Sequence, residues 1–329
     1  MLGIIMNHVN VMALRISSFN CRGLKGSVSD LTVLAETFDI ICLQETWLMS
    51  NELCCLNNLI PNMSGFGVSA VDLSAGLLHG RPYGGVAFLW NKSLSYDVQT
   101  ISSGYDWLVA ISLADSNGNS FTVINVYFPC DSYTNVDKYL DCLGKLQEFV
   151  LDIAGPYVIL GDFNCNPQDI RSPCRKVLND FMHDCDLEMI DSCLPPDSYT
   201  FISDAWQSPS WLDHCLISQS VVDVVDNCHI IYDSFNSHHF PIAVTITLPT
   251  LAHAPADNCQ GPRKTVSATL PKVDFSKVST TTVDSYQSYV VDYLSAINLL
   301  HLDKMYFVAR KLTVMIVSTE LRSTYCTPI

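Results

Sequence analysis

The chain has 329 residues, of which 48% are hydrophobic and 16% charged, so it can bury a sizeable core and is not a disordered protein. No run approaches the roughly 18 consecutive apolar residues that a membrane span requires, which argues against a membrane protein. The formal net charge is -15, and residues 1–250 hold 27 acidic against 10 basic residues. A broad basic surface for nucleic acid is therefore excluded, so any DNA-binding groove would be basic only locally, or the substrate would be small.

The pattern of apolar residues predicts short strands alternating with a few helices. Many strands and few helices indicate two packed, mixed β-sheets flanked by helices, an α/β sandwich. The stretch "SNGNS" at 116–120 predicts a hairpin turn between two of the strands. The predicted strands are Val11–Phe19, Asp39–Gln44, Gly84–Trp90, Leu108–Leu113, Phe121–Phe128, Tyr157–Leu160, Leu212–Ser218, Val221–Tyr232 and Pro241–Leu248. The predicted helices are Val28–Phe38, Val136–Ile153 and Arg175–His183.

The composition along the chain predicts one main domain with two extensions. Residues 1–10 lack the features of a signal peptide, and they are expected to be a ragged leader that runs into the first strand. The strands and helices fall in a domain at 11–248, followed by a linker at 249–273 that is rich in Pro, Ala, Ser and Thr. Residues 274–329 have a helical, amphipathic pattern of unknown role.

The 14 cysteines are scattered and form no C-x-x-C pair, so neither a disulfide framework nor a zinc site is indicated. Most lie in apolar runs such as "DIICLQE", where a free cysteine behaves as a small hydrophobic residue. A reducing compartment, the nucleus or cytoplasm, is the expected location.

Polar residues follow the apolar runs at several strand ends, which is where α/β enzymes assemble their sites. Each has an ordinary explanation when taken alone: the asparagines as turn residues, Glu45 as the cap of a helix beginning near Thr46, and the histidine as a loop residue. Their types and their order along the chain favour a shared site instead. The candidates are Asn20, Glu45, Tyr127, Asp162, Asn164, Asp213 and His239.

Phosphodiester hydrolysis is the chemistry that uses such a set. Glu45, helped by Asn20, could bind Mg²⁺, a hard cation that prefers oxygen ligands. Asp162 is of the right type to act as a general base toward water. His239 paired with Asp213 could donate a proton to a phosphate oxygen, with the carboxylate fixing the tautomer of the ring. The neutral donors suited to a phosphate that accumulates charge are Tyr127 and Asn164.

With these residues in place, the sequence resembles the endonuclease/exonuclease/phosphatase superfamily. It is most similar to the AP-endonuclease-like endonuclease domain of LINE-type non-LTR retrotransposons. The resemblance spans residues 15–245 and implies a four-layer α/β sandwich. The stretches that carry it, in family order, are "SFNCRGL", "DIICLQETWL", "GRPYGGVAFLW", "VINVYFP", "VILGDFNCNP", "SYTF", "SWLDHCLIS" and "SHHFPI".

The resemblance implies Mg²⁺-dependent nicking of DNA, with Mn²⁺ as an alternative ion, to leave a 3′-hydroxyl that primes reverse transcription. It places Thr200 and Ser210 where the family touches the substrate phosphate. DNA is the expected partner, and no protein partner is inferred. By matching position, the metal-side residues are Asn20, Glu45, Asp162 and Asn164, and the catalytic residues are Asp162 as base, Asn164, Tyr127, Asp213 and His239.

Two departures from the family pattern leave alternatives open. The last motif, usually Ser-Asp-His, here reads Ser237-His238-His239, which is expected to weaken metal binding or slow turnover. No reverse transcriptase follows within the chain, so a truncated element or an endonuclease-only product is expected. The acidic charge favours a second reading, a phosphatase or phosphodiesterase acting on a small or lipid substrate. A third reading is a decayed, non-catalytic remnant, for which only His238 and the missing polymerase argue.

Overall fold

A computed structural model describes residues 12–71 and 82–248, so the predicted leader, linker and C-terminal helical segment lie outside the described residues. The strands in the described ranges are β1 Met12–Asn20, β2 Ile40–Gln44, β3 Met63–Val68, β4 Val86–Asn91, β5 Asp97–Ser102, β6 Leu108–Ala114, β7 Ser120–Tyr127, β8 Tyr157–Asp162, β9 Leu187–Met189, β10 Phe201–Ile202, β11 Pro209–Ser210, β12 Asp213–Ser218, β13 Val225–Ile230 and β14 Ile242–Leu248. The α-helices are α1 Val28–Thr37, α2 Val136–Leu151 and α3 Arg175–Asp184, and shorter 3-10 helices span Leu24–Gly26, Ser50–Asn58, Ile190–Cys193 and Gln219–Val224.

Two six-stranded sheets form the centre of the fold. The first has the order β13-β14-β1-β2-β4-β3 and the second the order β5-β6-β7-β8-β12-β9. Each is mixed, because β1 pairs in parallel with β2, and β7 with β8, while their other neighbours are antiparallel. A two-stranded hairpin, β10-β11, stands apart from both.

Three apolar clusters separate the layers. One lies between the sheets and includes Ile16, Phe88 and Leu160. A second joins α2 and α3 to the outer face of the second sheet, and a third joins α1 to the outer face of the first. The order helix, sheet, sheet, helix is the four-layer α/β sandwich predicted from the sequence, which is therefore confirmed.

One predicted strand is wrong in part. The run Val221–Tyr232 was expected to be a single strand, but Gln219–Val224 forms a 3-10 helix and only Val225–Ile230 is extended. The reason is topological: β12 belongs to the second sheet and β13 to the first, so the chain must turn between them. Val221 is fully buried on this turn, which explains why its apolar run looks like a strand in the sequence.

The two sheets are also joined by a buried polar contact. Asn125 on β7 donates its side-chain amide to the carbonyls of Leu43 and Ala87 on the first sheet, at 2.9 and 2.8 Å. Its Oδ1 accepts from the side chain of Gln44 at 2.6 Å. Asn125 and Gln44 are both fully buried. The contact therefore fixes the relative position of the sheets directly beneath the edge where β2 ends.

We expect Asn125→Ala to lower the free energy of unfolding by roughly 2–4 kcal/mol, because it leaves a cavity and removes the partner of a buried amide. Urea denaturation measures this change. The matched control is Asn58→Ala, an exposed position in a 3-10 helix, which should shift stability by no more than about 0.5 kcal/mol. Equal effects of the two substitutions would contradict a role of Asn125 in joining the sheets.

Candidate active site

The polar residues predicted from strand ends meet at one edge of the sandwich. Asn20 is the last residue of β1, and Tyr127 and Asp162 end the parallel strands β7 and β8. Asp162 lies opposite Tyr127 on one side and opposite Asp213, the first residue of the antiparallel β12, on the other. Glu45 directly follows β2. Parallel strands carry their carboxyl ends to the same edge, which is why residues distant in sequence come together here.

Asp162 is the centre of this group and is only 1% exposed. Its Oδ1 accepts from the backbone N–H of Asn164 at 2.8 Å, and its Oδ2 accepts from the side-chain amide of Asn20 at 2.8 Å. Gly161 precedes it with φ 153°, and a Cβ there would lie 2.0 Å from the carbonyl oxygen of Val126. Only glycine permits this close approach of β8 to β7, which fixes the direction in which Asp162 leaves the strand.

Glu45 is held beside Asp162 by neutral donors. The same amide nitrogen of Asn20 that reaches Asp162 also donates to Glu45 Oε1 at 3.0 Å. The hydroxyl of Tyr127 donates to Oε1 and the indole N–H of Trp47 to Oε2, both at 3.1 Å. Glu45 has a left-handed φ of 53° and no helix begins at Thr46, so the helix-cap explanation is wrong. Within the described residues, the arrangement brings two carboxylates together without a lysine or arginine side chain hydrogen-bonded to either.

His239 and Asp213 form the predicted pair. His239 Nδ1 lies 2.8 Å from Asp213 Oδ2, so its Nε2 points away from that partner and lies 3.8 Å from Asp162 Oδ2. Both residues are buried. Ser237 links the backbone of His239 to strand β1. Its hydroxyl donates to the carbonyl of Asn20 at 2.6 Å and accepts from the backbone N–H of His239. The histidine is thus attached to the end of β1 as well as to β12.

Burial and mutual charge shift the ionisation of these groups. Burial, and then the carboxylate of Asp213, raise the pKa of Asp162 to about 7. Burial opposes the charge of His239, but the carboxylates of Asp213 and Asp162 outweigh it and raise its pKa to about 9. Burial, together with Glu45, keeps the pKa of Tyr127 well above its ordinary value. Near neutral pH, His239 therefore carries the positive charge and Tyr127 stays a neutral donor.

The donor set fits a hard divalent cation. Glu45 and Asp162 offer adjacent carboxylate oxygens, and Asp213 Oδ1 is buried with no hydrogen-bond partner in the part of the chain that the structure describes. Ligand atoms of Asp162, Asp213 and His239 also lie within 4.8 Å of one another. A cation bound by these three would need a neutral imidazole as a ligand, whereas the raised pKa of His239 keeps the ring protonated near neutral pH. We therefore favour the side of Asp162 that faces Glu45.

The remaining predicted residues have distinct positions. Asn164 turns its amide nitrogen toward Asp162 and the carbonyl of Phe128, so it holds Asp162 in place, and its role as a metal ligand stays a prediction. Thr200 is fully buried, and its hydroxyl accepts from the backbone N–H groups of Leu212 and Asp213 at 3.0 and 2.9 Å. This geometry positions the start of β12, while direct contact of Thr200 with a phosphate also stays a prediction.

Two cavities are lined by candidate site residues. One of about 450 Å³ is lined by Ser210 together with Asp131, Asn166, Arg171 and Leu212, so Ser210 is placed to meet a bound molecule. The other, of about 310 Å³, is adjacent to the carboxylates. Its lining includes Glu45, Tyr83, Trp107, Tyr127 and Lys138. The second cavity gives a substrate room beside Glu45 and Tyr127.

A buried ion pair beneath the site was missed in the sequence. His214 Nδ1 lies 2.7 Å from Asp191 Oδ2, and its Nε2 lies 2.8 Å from the carbonyl of Cys165, next to Asn164. Burial opposes the charge of His214, but Asp191 outweighs it and raises its pKa. Successive residues of a strand face opposite sides, so His214 points away from Asp213 into the helical layer. This alternation along the strand is the sequence signal that could have placed His214 in the helical layer and Asp213 in the site.

The described residues contain no helix long and apolar enough to cross a membrane. No disulfide joins the twelve cysteines of the described residues, in agreement with their scattered pattern in the sequence.

Three solved structures share the fold of this chain. The chain is similar in structure to the AP endonuclease LMAP from Leishmania major, with a TM-score of 0.61 and 18% identity over 72% of this chain and 88% of that one. It is also similar to a variant of the 3′ phosphatase NExo from Neisseria bound to a product DNA hairpin, with a TM-score of 0.55. A third is the 3′-5′ exonuclease NExo from Neisseria meningitidis, with a TM-score of 0.54. Each of the latter two is 20% identical, over 71% of this chain and 100% of that one.

No curated protein sequence matches the chain. Such low identities to solved structures establish the fold alone. The family is established separately, by a match to residues 17–250, which include every candidate site residue. The chain therefore belongs to the Endonuclease/Exonuclease/phosphatase family.

Proposed function

We propose that the protein hydrolyses phosphodiester bonds of DNA in a Mg²⁺-dependent reaction, as a nicking endonuclease derived from a retrotransposon. The observation that carries the proposal is the buried carboxylate of Asp162 held between Asn20, Asn164 and the His239–Asp213 pair. The similarity to a phosphatase bound to a DNA hairpin supports DNA as the substrate. The retrotransposon origin is supported by the motif resemblance.

The residues divide the work of the reaction. Asp162, once ionised, accepts a proton from the attacking water. The imidazolium of His239 donates from Nε2 to a non-bridging phosphate oxygen, while Asp213 accepts from Nδ1 and keeps the ring in the productive tautomer. Tyr127 is a neutral donor for the charge that accumulates on the phosphate. A divalent cation held by Glu45 and Asp162 would supply Lewis-acid stabilisation of the phosphate and the leaving oxygen. Asn20 donates its amide nitrogen to both carboxylates and so positions them for that cation, and its role as a metal ligand stays a prediction.

Supercoiled plasmid tests this proposal. The purified protein is expected to relax plasmid in Mg²⁺ or Mn²⁺, and to lose that activity completely in EDTA because the carboxylates then have no cation to bind. Gel separation of supercoiled and nicked circles measures the rate. Residual cleavage in EDTA at the Mg²⁺ rate would contradict a metal-dependent mechanism.

A second candidate is a phosphatase or phosphodiesterase of the same family acting on a small or lipid substrate. The observation that favours it is the acidic balance of residues 1–250, which opposes binding of a long polyanion such as DNA across the surface. Protein that is inert on plasmid but releases phosphate from inositol phosphates would establish this candidate instead. Folded protein inert on both would support the non-catalytic reading, which the intact polar site argues against.

A further inference from the structure

A cluster of three charged or ionisable side chains lies beside the catalytic group without taking part in it. Arg22 Nη1 lies 3.1 Å from His238 Nε2 and 3.7 Å from Asp204 Oδ2. The same Nε2 of His238 lies 2.5 Å from Asp204 Oδ1. Arg22 and His238 are each about one-third exposed and Asp204 is 63% exposed, so the cluster is open to a ligand.

Arg22 and His238 are connected through the backbone to the catalytic residues. The backbone N–H of Arg22 donates to Asn20 Oδ1 at 3.2 Å, and the turn is locked by Gly23, whose N–H donates to the carbonyl of Glu45 at 2.8 Å. Gly23 has φ 107°, and a Cβ there would lie 2.6 Å from the ring of Trp47. His238 lies between Ser237 and the catalytic His239. The backbones of Arg22 and His238 are therefore held one or two residues from the reacting groups.

Asp204 reaches the pair from a different element. It lies in the loop between β10 and β11, where the side chain of Gln207 donates to its carbonyl at 3.1 Å. The backbone N–H of Ile202, on β10, donates to the carbonyl of His238 at 2.9 Å. The root of the hairpin is thus attached to His238 through the backbone. The carboxylate of Asp204 contacts Arg22 and His238 through its side chain, which is not part of that backbone hydrogen bond.

The contacts of His238 Nε2 cannot all be favourable at once. Arg22 can only donate, whereas Asp204 as a carboxylate can only accept. If Nε2 accepts from Arg22 it faces the lone pairs of Asp204, and if it donates to Asp204 it faces an N–H of Arg22. An anion with more oxygens and more charge can accept from both side chains through different oxygens, as phosphate does in recognition by arginine.

We propose that Arg22 and His238 form a subsite for a phosphate neighbouring the one that is cut, and that Asp204 occupies this subsite as an internal anion in the free protein. The inference rests on the proposed function, since it assigns to that site a substrate with at least two phosphates. Binding of the substrate strand displaces Asp204 from the pair. The subsite gives a locally basic contact within an acidic domain.

Binding of DNA in the absence of cleavage tests the subsite. The probe is a short fluorescein-labelled DNA duplex, and anisotropy in EDTA gives its Kd for the chain of residues 1–329. Arg22→Gln and His238→Gln are each expected to weaken binding by about tenfold, the size of one charge-assisted contact. Arg22→Gln should also reduce the slope of log K against log salt by about 1. Asp204→Asn is expected to tighten binding by about threefold or more, because the internal competitor is gone.

Arg15→Gln is the matched control. Arg15 also pairs with a carboxylate, that of Asp39 at 3.0 Å, but five residues before the end of β1, and its substitution should leave Kd unchanged. The sign of the Asp204→Asn effect decides between the subsite and a merely structural cluster. If Asp204→Asn weakens binding as the other substitutions do, the cluster only anchors the hairpin and the proposal is overturned. Unchanged Kd in Arg22→Gln, or a folded wild-type protein that does not bind the duplex, also overturns it.

A substrate with a single phosphate separates the subsite from catalysis. In Mg²⁺, Arg22→Gln should lose about tenfold more kcat/KM on the DNA duplex than on bis(p-nitrophenyl) phosphate. Equal losses would mean that Arg22 acts on the reacting phosphate, which contradicts a neighbouring subsite. If the proposed function is wrong but the subsite exists, the outcome differs. The wild-type protein then hydrolyses neither substrate, while in EDTA Arg22→Gln still raises the Kd for the duplex and Asp204→Asn still lowers it.

Discussion

Replacing Asp162 with asparagine is expected to abolish cleavage while making the metal-free protein more stable. Loss of the general base should lower kcat by about 10³-fold. The stability gain follows from ionisation: burial and Asp213 raise the pKa of Asp162 from 3.8 to about 7. A carboxyl whose pKa is raised on folding favours the folded state while it is protonated, and this contribution is lost as pH rises from about 4 through 7.

Asparagine at position 162 never ionises and so avoids this loss. In EDTA at pH 8, Asp162→Asn should therefore raise the free energy of unfolding by on the order of 1–3 kcal/mol, and at pH 4 the difference should largely vanish. Thermal unfolding should shift upward by about 2–4 °C per kcal/mol in a domain of this size. The amide oxygen of asparagine can still accept from the backbone N–H of Asn164, which keeps the local fold comparable.

Asp197→Asn is the matched control, since Asp197 is an exposed carboxylate outside the site. It should change neither the cleavage rate nor the pH dependence of stability. Cleavage by Asp162→Asn at the wild-type rate would assign the base to another group. A variant less stable than wild type at pH 8 would mean that the hydrogen bonds of the carboxylate outweigh its desolvation. In Mg²⁺ the order should reverse, because a bound cation stabilises only the protein that retains the carboxylate.

The parts of the site that the sequence predicts share one property: they lie at the ends of apolar strands. Asp162 follows the buried run Val158–Leu160, and Asn20 and Tyr127 end strands that are largely buried. Strand pairing then brings these residues to one edge of the sandwich, so correct prediction of the strands is nearly sufficient to predict this part of the site. The same reasoning succeeds for the fold, because a buried strand shows itself as an apolar run.

The parts that the sequence does not predict depend on tertiary contacts. Strand β5 (Asp97–Ser102) is a mostly exposed edge strand without an apolar run, and it was missed for that reason. The pairing of His214 with Asp191 joins residues 23 positions apart, with no spacing rule to indicate it. Asp204 reaches Arg22 only because a hairpin folds back over the end of β1.

His239 provides the other large effect, and its dependence on Asp213 can be measured through pH. His239→Gln removes the proposed proton donor and should lower kcat by about 10²–10⁴-fold. In the wild-type protein, the carboxylates of Asp213 and Asp162 raise the pKa of His239 to about 9 against the effect of burial. Activity that requires the imidazolium should therefore fall as pH rises above about 9.

Asp213→Asn retains the imidazole but removes the carboxylate that contributes most to raising its pKa. Burial then has a greater relative effect, so the pKa of His239 should fall, and the alkaline decline of kcat should move down by about one pH unit or more. The kcat profile between pH 6 and 10, with Asp197→Asn as control, measures the shift. A decline at the same pH in Asp213→Asn and wild type would contradict Asp213 as the source of the raised pKa. A residue that only packs the ring could lower kcat, but it would leave the pH of that decline unchanged.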